Sequence, residues 1–294
     1  MSQFISKLQH NTYEKGEFSD EKERTLNETI EFIKNFPWNG ERALTDIQLT
    51  GPSVTIQDEN INYLKLGLYF NGKFCLYYLD NDNHLYEYHA PEIDSACALV
   101  VDFFNRQLDL QIFDRHFFNI GNKGHFLTNH FEYRERFWRI LMINGLLLFY
   151  GVFFLIADVT MFVKNTPIFI GLVIIIFSVI YYLLLAKIFY KAIVNRNNYL
   201  QISKGNDFFS FGYNEQAIKA YKKSEISEVV HYISRGSKNP NLIEVYEINF
   251  KDGSTIKFSN MLIPSSAFYS KFTDKMGNSY MQIINGKKSP LKML

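Results

Sequence analysis

Two uncharged apolar segments constrain this 294-residue chain more than any other feature of its sequence. They cover residues 140–157 and 168–186, and the ten residues DVTMFVKNTP separate them. Each segment is about as long as a helix that crosses a ~30 Å hydrocarbon core at ~1.5 Å per residue. Neither has the polar residue at every third or fourth position that a soluble core helix shows. The pattern predicts a two-helix transmembrane hairpin within 137–192, with spans at about 138–160 and 166–188.

Charge is distributed unevenly on the two sides of this hairpin. Residues 1–136 carry 13 Lys and Arg against 21 Asp and Glu, whereas residues 187–294 carry 16 against 8. Basic residues flank both apolar segments, and the loop between them contains only Lys164. Because segments rich in Lys and Arg stay on the cytoplasmic side, we expect a multi-pass protein of the bacterial inner membrane with both termini inside.

The sequence before the hairpin is typical of an acidic α+β domain over residues 1–110. Ser19 is expected to cap a helix whose apolar face includes Ile30 and Ile33. Residues 44–90 then change to a period of two, and Asn71-Gly72 is a strong hairpin signal between two alternating runs. A second helix is expected after Pro91. The predicted order is helix, antiparallel meander and helix.

Residues 111–136 are interpreted as an aromatic-rich linker. A metal site formed by His116, His125 and His130 is the alternative within this stretch. No cysteine or acidic residue stands at a recognised zinc spacing from these histidines, so we predict no metal ligands. The two cysteines of the chain, Cys75 and Cys97, are expected to be reduced, buried thiols.

Short alternating runs follow the hairpin and predict a mostly antiparallel β domain over residues 195–276. Asp252-Gly253 marks a tight turn between two of the predicted strands. Pro264 is expected to start a C-terminal helix with Phe268 and Phe272 on one face. Residues 277–294 are interpreted as a basic tail.

The runs YLQIS, FFSFGY, KKSEISEVV, IEVYEINFKDGSTIKFS and LIPSSAFYSKF resemble bacterial pleckstrin-homology-like (PH-like) domains. In particular they resemble the YcxB-like arrangement, in which such a domain directly follows a transmembrane hairpin. The resemblance covers about residues 130–275. It implies a fold and an anchored layout, and it implies no catalytic activity.

No enzyme motif is present in the sequence. Gly-x-Gly-x-x-Gly, Gly-x-x-x-x-Gly-Lys-Ser/Thr, Gly-x-Ser-x-Gly and His-Glu-x-x-His are all absent. We therefore predict no catalytic residue and no cofactor. The basic half lacks a motif that stacks nucleic-acid bases, so no nucleic-acid partner is expected.

The basic residues after the hairpin are the candidate contacts with anionic lipid, each contributing ~1 kcal/mol near a charged leaflet, or with a protein partner. These are Lys187, Lys191, Arg196, Lys204, Lys222 and Lys223. The alternative is that they serve only solubility and topology. The leading hypothesis is a non-enzymatic integral inner-membrane protein that presents two cytoplasmic interaction domains. The alternatives are an immunity protein against a membrane-active toxin and a membrane-bound enzyme of unrecognised class.

Overall fold

The computed structural model describes residues 2–42, 49–117, 121–135, 145–163, 167–194, 197–233, 244–272 and 283–285. The chain divides into two compact units. Unit 1 comprises residues 1–130 together with 203–206, and unit 2 comprises residues 131–202 together with 207–294.

Unit 1 is built on a seven-stranded antiparallel sheet with the order β2-β1-β3-β4-β5-β6-β7. Asn71 and Gly72, both with positive φ, lie in the turn that joins the fourth and fifth strands, as the sequence predicts. The strands are β1 (Gln3–Gln9), β2 (Ser19–Thr25), β3 (Ser53–Gln57), β4 (Tyr63–Leu68), β5 (Phe74–Leu79), β6 (Leu85–Ala90) and β7 (Asp114–Arg115).

The helices of unit 1 are α1 (Leu26–Asn35), α2 (Trp38–Arg42) and α3 (Ile93–Phe104). The predicted helix start at Ser19 is wrong, because Ser19 begins a strand that pairs with β1. Thr25 is the actual N-cap, and it forms a reciprocal capping box with Glu28. This pair satisfies two backbone N–H groups at the first turn, which fixes where α1 begins.

Both faces of the sheet in unit 1 are largely buried. One face packs against α1 and α3 and forms the main apolar core, which includes Phe4, Ile33, Leu66, Val100 and Phe103. The other face carries a smaller apolar cluster around Tyr63, Leu79 and Phe126, together with buried polar side chains. This second face holds most of the chemically notable residues of the unit.

Unit 2 contains two four-stranded sheets and a short terminal helix, α6 (Ser265–Ser270). The first sheet has the order β11-β10-β9-β8, and the second has the order β14-β13-β12-β15, in which only β15 pairs in parallel. The strands are β8 (Glu132–Arg134), β9 (Tyr199–Gln201), β10 (Phe208–Gly212), β11 (Lys219–Lys222), β12 (Ile226–Tyr232), β13 (Val245–Phe250), β14 (Thr255–Ser259) and β15 (Ile283–Asn285).

The core of unit 2 confirms the predicted antiparallel β domain with a C-terminal helix. Phe268 and Phe272 are fully buried, and the ring of Phe268 lies 4.2 Å from that of Tyr246 and 5.4 Å from that of Phe258. The domain also includes β8, which falls within the predicted linker and pairs with β9. The two long helices that lie between β8 and β9 in the chain are therefore inserted between the first two strands of this sheet.

The inserted segment forms two helices, α4 (Gly145–Val163) and α5 (Ile168–Val194). Within the part of the chain that the structure describes, no helix combines the length and apolar character that crossing a membrane requires. The predictions of a transmembrane hairpin and of an integral membrane protein are therefore wrong.

Polar contacts join α4 and α5. Ser178 donates a hydrogen bond to Asp158 at 3.1 Å, and the hydroxyl of Tyr182 donates to the carbonyl of Gly151 at 3.0 Å. A Cβ at Gly151 would lie 3.3 Å from the ring of Tyr181, so the small residue permits the close approach. Many large apolar side chains of the pair are exposed, among them Phe149, Phe153, Phe169, Phe177 and Leu183.

Candidate functional site

The six basic residues that the sequence suggests as a contact surface have different environments. Lys187 and Lys191 lie on α5, but their side chains are outside the described part of the structure, and Arg196 is outside it altogether. Lys204 belongs to unit 1, where its backbone N–H donates to Glu14 at 2.9 Å. Only Lys222 and Lys223 remain to be compared on unit 2.

Lys222 and Lys223 are adjacent in sequence but differ in accessibility. Lys223 is buried, and its backbone N–H donates to the carbonyl of Asp207 at 2.8 Å. The side chain of Lys222 is 44% exposed, and its ammonium lies 3.7 Å from Glu225 and 5.4 Å from the ring centroid of Phe208. Lys222 is thus the accessible member of the predicted pair.

Lys222 lies on an open edge of the first sheet of unit 2. The strand order places β11 at the edge, next to β10, where Phe208 is the direct partner of Lys222. Phe208 is 55% exposed, and Ile218, just before β11, is also exposed. Two large apolar side chains and one ammonium group therefore border this edge. We call β11 with Phe208 and Ile218 the β11 edge.

The geometry of the β11 ladder determines which backbone groups face outward. The bond from Lys223 to Asp207 makes these two residues a hydrogen-bonded pair. Hydrogen-bonded and non-hydrogen-bonded pairs alternate along antiparallel strands, so Ala220 and Lys222 direct their own N–H and C=O groups away from β10. Among the described residues, β11 has no strand on that side.

The edge strand β14 of the second sheet in unit 2 has one of its outward donors occupied by a side chain. At β14 the same alternation directs the N–H of Lys257 outward, because Phe250 and Ser254 form a hydrogen-bonded pair. That N–H donates to the hydroxyl of Tyr213 at 3.3 Å. A side chain therefore occupies an outward donor of β14, as folded proteins commonly protect exposed edges.

Unit 2 also contains a buried polar network between β12, β13 and α6. His231 contacts Glu244 at 3.1 Å and the hydroxyl of Tyr269, and Glu244 also accepts hydrogen bonds from Tyr246 and Ser265. Burial lowers the pKa of His231, although Glu244 opposes this shift. The polar atoms satisfy one another, so the network holds α6 against the sheet.

In unit 1 the second face of the sheet buries two lysines. Lys65 Nζ donates to Gln9 at 2.7 Å and to the carbonyl of His125 at 3.0 Å, and Lys7 Nζ donates to Thr128 at 2.8 Å. Burial lowers the pKa of Lys65 to about 7, and the charge of Lys7 contributes in the same direction. The sequence provides no clear signal of this burial, because Lys65 simply occupies an inward position of an alternating strand.

The same face also carries a group of metal-ligating side chains, on β5 and β6. Cys75 on β5 is the direct cross-strand partner of His89 on β6, and Glu87 precedes His89 by two residues on the same face. One ligand atom from each of the three lies within 4.8 Å of the others. Sequence reasoning missed this group, although the Glu87-x-His89 spacing places both side chains on one strand face.

The three histidines that the sequence suggests as an alternative metal site do not come together in the described structure. His116 hydrogen-bonds to Glu87 at 2.7 Å, whereas His125 hydrogen-bonds to Thr50 at 2.6 Å. Among the described residues, His116, His125 and His130 do not form a metal-ligand group. Burial disfavours ionisation of Glu87, but the hydrogen bonds to His89 and His116 outweigh it and lower the pKa of the carboxyl group.

Comparison with known proteins identifies the domain in unit 2. Residues 130–271 match the model of a family described as PH domain. The match begins just before β8 and ends just after α6, so the β domain is a PH-like domain with α4 and α5 inserted after its first strand. This match does not show the finer YcxB-like arrangement, and the described helices contradict the transmembrane hairpin that the arrangement includes. No curated protein and no solved structure matches the chain.

Proposed function

We propose that this chain is a non-enzymatic binding protein whose PH-like domain binds an extended segment of a protein partner along the β11 edge. Strand addition of this kind obtains affinity from main-chain hydrogen bonds and specificity from pockets for alternate side chains. The observation that carries the proposal is the outward direction of the backbone groups of Ala220 and Lys222.

The contrast with β14 supports this assignment. An unprotected strand edge is a template for pairing with another chain, and folded proteins usually cover such edges. Tyr213 occupies the outward N–H of Lys257 on β14, whereas the described residues place no such group on Ala220 or Lys222. The uncovered edge of β11 is therefore the better docking strand of the two.

Side chains at the β11 edge indicate the composition of the partner. Exposed Phe208 and Ile218 favour apolar residues at alternate positions of the incoming segment. The ammonium group of Lys222 favours an acidic residue beside them, and its present neighbour Glu225 is a weak competitor at 3.7 Å on the surface. The proposed ligand is an extended peptide that alternates apolar and acidic residues.

An array of such peptides, probed with the full-length protein, tests the proposal. Ala220→Pro removes an outward N–H without removing a bond to β10, and Ile218→Asp and Lys222→Glu change the side chains at the edge. All three variants should lose peptide retention, whereas Lys257→Glu, on the edge strand β14 of the other sheet, should keep it. Thermal unfolding checks that each variant folds.

Unchanged retention in Ala220→Pro and Ile218→Asp would contradict strand addition at β11. Anionic and zwitterionic vesicles serve as the second arm, because Lys222 is also a candidate lipid contact. Salt-sensitive binding to anionic vesicles, with no peptide retained, would assign the β11 edge to lipid instead.

A further inference from the structure

The group formed by Cys75, Glu87 and His89 in unit 1 has the composition of a transition-metal site. A thiolate, an imidazole and a carboxylate together favour zinc-like dications, whereas magnesium and calcium favour oxygen ligands alone. Zinc bonds to these ligands are about 2.0–2.3 Å long, so ligand atoms of a tetrahedral site lie ~3.5 Å apart. One ligand atom from each of the three residues lies within 4.8 Å of the others, so side-chain rotations can bring them to that geometry.

The sheet holds the ligands in place before any metal binds. Cys75 and His89 are opposite each other in the β5–β6 ladder, and the ring of His89 stacks on Tyr69 with centroids 3.9 Å apart. Nε2 of His89 lies 2.7 Å from Oε1 of Glu87. Such preorganisation on paired strands limits the entropy lost when a metal is bound.

His116 supports the group from the adjacent strand. Its backbone N–H donates to the carbonyl of Leu85 at 2.8 Å, directly after β7, and its Nε2 lies 2.7 Å from Oε2 of Glu87. The carboxylate of Glu87 thus lies between two imidazoles, one on each oxygen. A hydrogen-bonded partner of this kind orients a metal-ligating carboxylate and tunes its affinity.

We propose that unit 1 binds one zinc-like dication through Sγ of Cys75, Nε2 of His89 and Oε1 of Glu87, with His116 as the positioning residue for Glu87. The thiol proton of Cys75 leaves to solvent when the metal binds, and the neutral imidazole of His89 carries its proton on Nδ1 so that Nε2 can bind the ion. The side chains of His89 and His116 are 39% and 38% exposed, so a metal ion can reach the group from solvent on the side of these histidines.

A second metal-ligand group, at the turn between β5 and β6, provides the competing site. It consists of Asp80, Asp82 and His84. Asp80 already accepts hydrogen bonds from the backbone N–H and the ring of His84, so these contacts are explained by the turn itself. This group lacks a thiol, which makes the two sites distinguishable by spectroscopy.

Titration of the chelator-treated, full-length protein with Co²⁺ alone tests the proposal. One equivalent should produce thiolate-to-cobalt charge-transfer absorption, and Zn²⁺ added afterwards should remove it. Cys75→Ser should abolish the band, while Cys97→Ser, which changes the cysteine on α3, should leave it unchanged. His116→Gln should weaken binding roughly 10–100-fold and retain the band.

His89→Gln is the ligand variant that should disturb folding least, because the side chain of His89 is partly exposed. It should weaken binding by more than His116→Gln does, with unchanged circular dichroism. Absence of the charge-transfer band in the wild-type protein, or unchanged affinity in His89→Gln, would overturn the proposal. Loss of cobalt binding in Asp82→Asn, with full binding in Cys75→Ser, would assign the ion to the turn instead.

Discussion

Lys65 on β4 lies directly opposite Thr55 on β3, and both side chains are buried. The hydroxyl of Thr55 has no hydrogen-bond partner among the described residues. The ammonium group of Lys65 donates to neutral acceptors, Gln9 and the carbonyl of His125, and lies 5.5 Å and 5.8 Å from the ring centroids of Phe18 and Phe126. The second face of the sheet in unit 1 therefore buries an ammonium group that has no anionic partner among the described residues, and burying such a charge costs free energy.

The first prediction concerns the pH dependence of stability that Lys65 imposes. The pKa of Lys65 is about 7 in the folded protein and 10.5, the ordinary value of a lysine, in the unfolded chain. Between these values the unfolded state binds more protons, so the free energy of unfolding should rise with pH from about 7 to about 10.5. Urea unfolding of the wild-type protein at pH 7 and pH 9 measures this rise.

Lys65→Met should stabilise the protein at pH 7 and remove most of that rise, because the cost of burying the charge disappears. Lys73→Met, at an exposed position, is the matched control and should leave the pH dependence unchanged. A Lys65→Met protein that is less stable than wild type at pH 7 and equally pH-dependent would contradict the assignment.

The second prediction tests the corrected start of α1. Thr25→Ala should lower the free energy of unfolding by about 1 kcal/mol, because it removes the capping box with Glu28. Ser19→Ala should have little effect, since Ser19 lies at the beginning of β2 and caps no helix. Chemical denaturation of both variants decides between the two positions, and a larger loss in Ser19→Ala would favour the earlier start.

The third prediction concerns the core of the PH-like domain. Phe268→Ala should cost about 3–5 kcal/mol, because the ring is fully buried against Tyr246, Phe258 and Phe272. Phe208→Ala removes the same ring from an exposed position and should change stability by no more than about 0.5 kcal/mol. Urea unfolding measures both losses, and similar losses of stability in the two variants would contradict the burial of the Phe268 ring.

The fourth prediction concerns acid sensitivity of the network around His231. Burial holds the pKa of His231 below 6.5, its value in the unfolded chain. The unfolded state therefore binds the extra proton first, and the contribution of His231 to stability is complete above pH 6.5 and decreases as pH falls below it. His231→Gln should cost more stability at pH 7.5 than at pH 5 in thermal unfolding, and an equal cost at both would contradict this.

Local features of the fold could be predicted from the sequence. Alternation identified β13, β14 and the strands around Asn71-Gly72, because a half-buried strand repeats every two residues whatever its partner is. The spacing of Phe268 and Phe272 identified α6, because residues four apart lie on one face of a helix. Apolar length by itself was a poor guide to the role of α4 and α5, and the resulting transmembrane prediction was wrong.

The charge of Lys222 could be singled out from the sequence, but its place on a sheet edge and the group around Cys75 could not, because they depend on strand pairing. The sequence by itself determined the strand periods, the turns and the PH-like domain. Only the tertiary structure decided that Cys75 lies opposite His89, that Lys65 is buried, and that β8 pairs with β9 across the inserted helices. The physical reason is register: a shift of one residue would turn each of these side chains to the other face, and no local pattern specifies the partner strand.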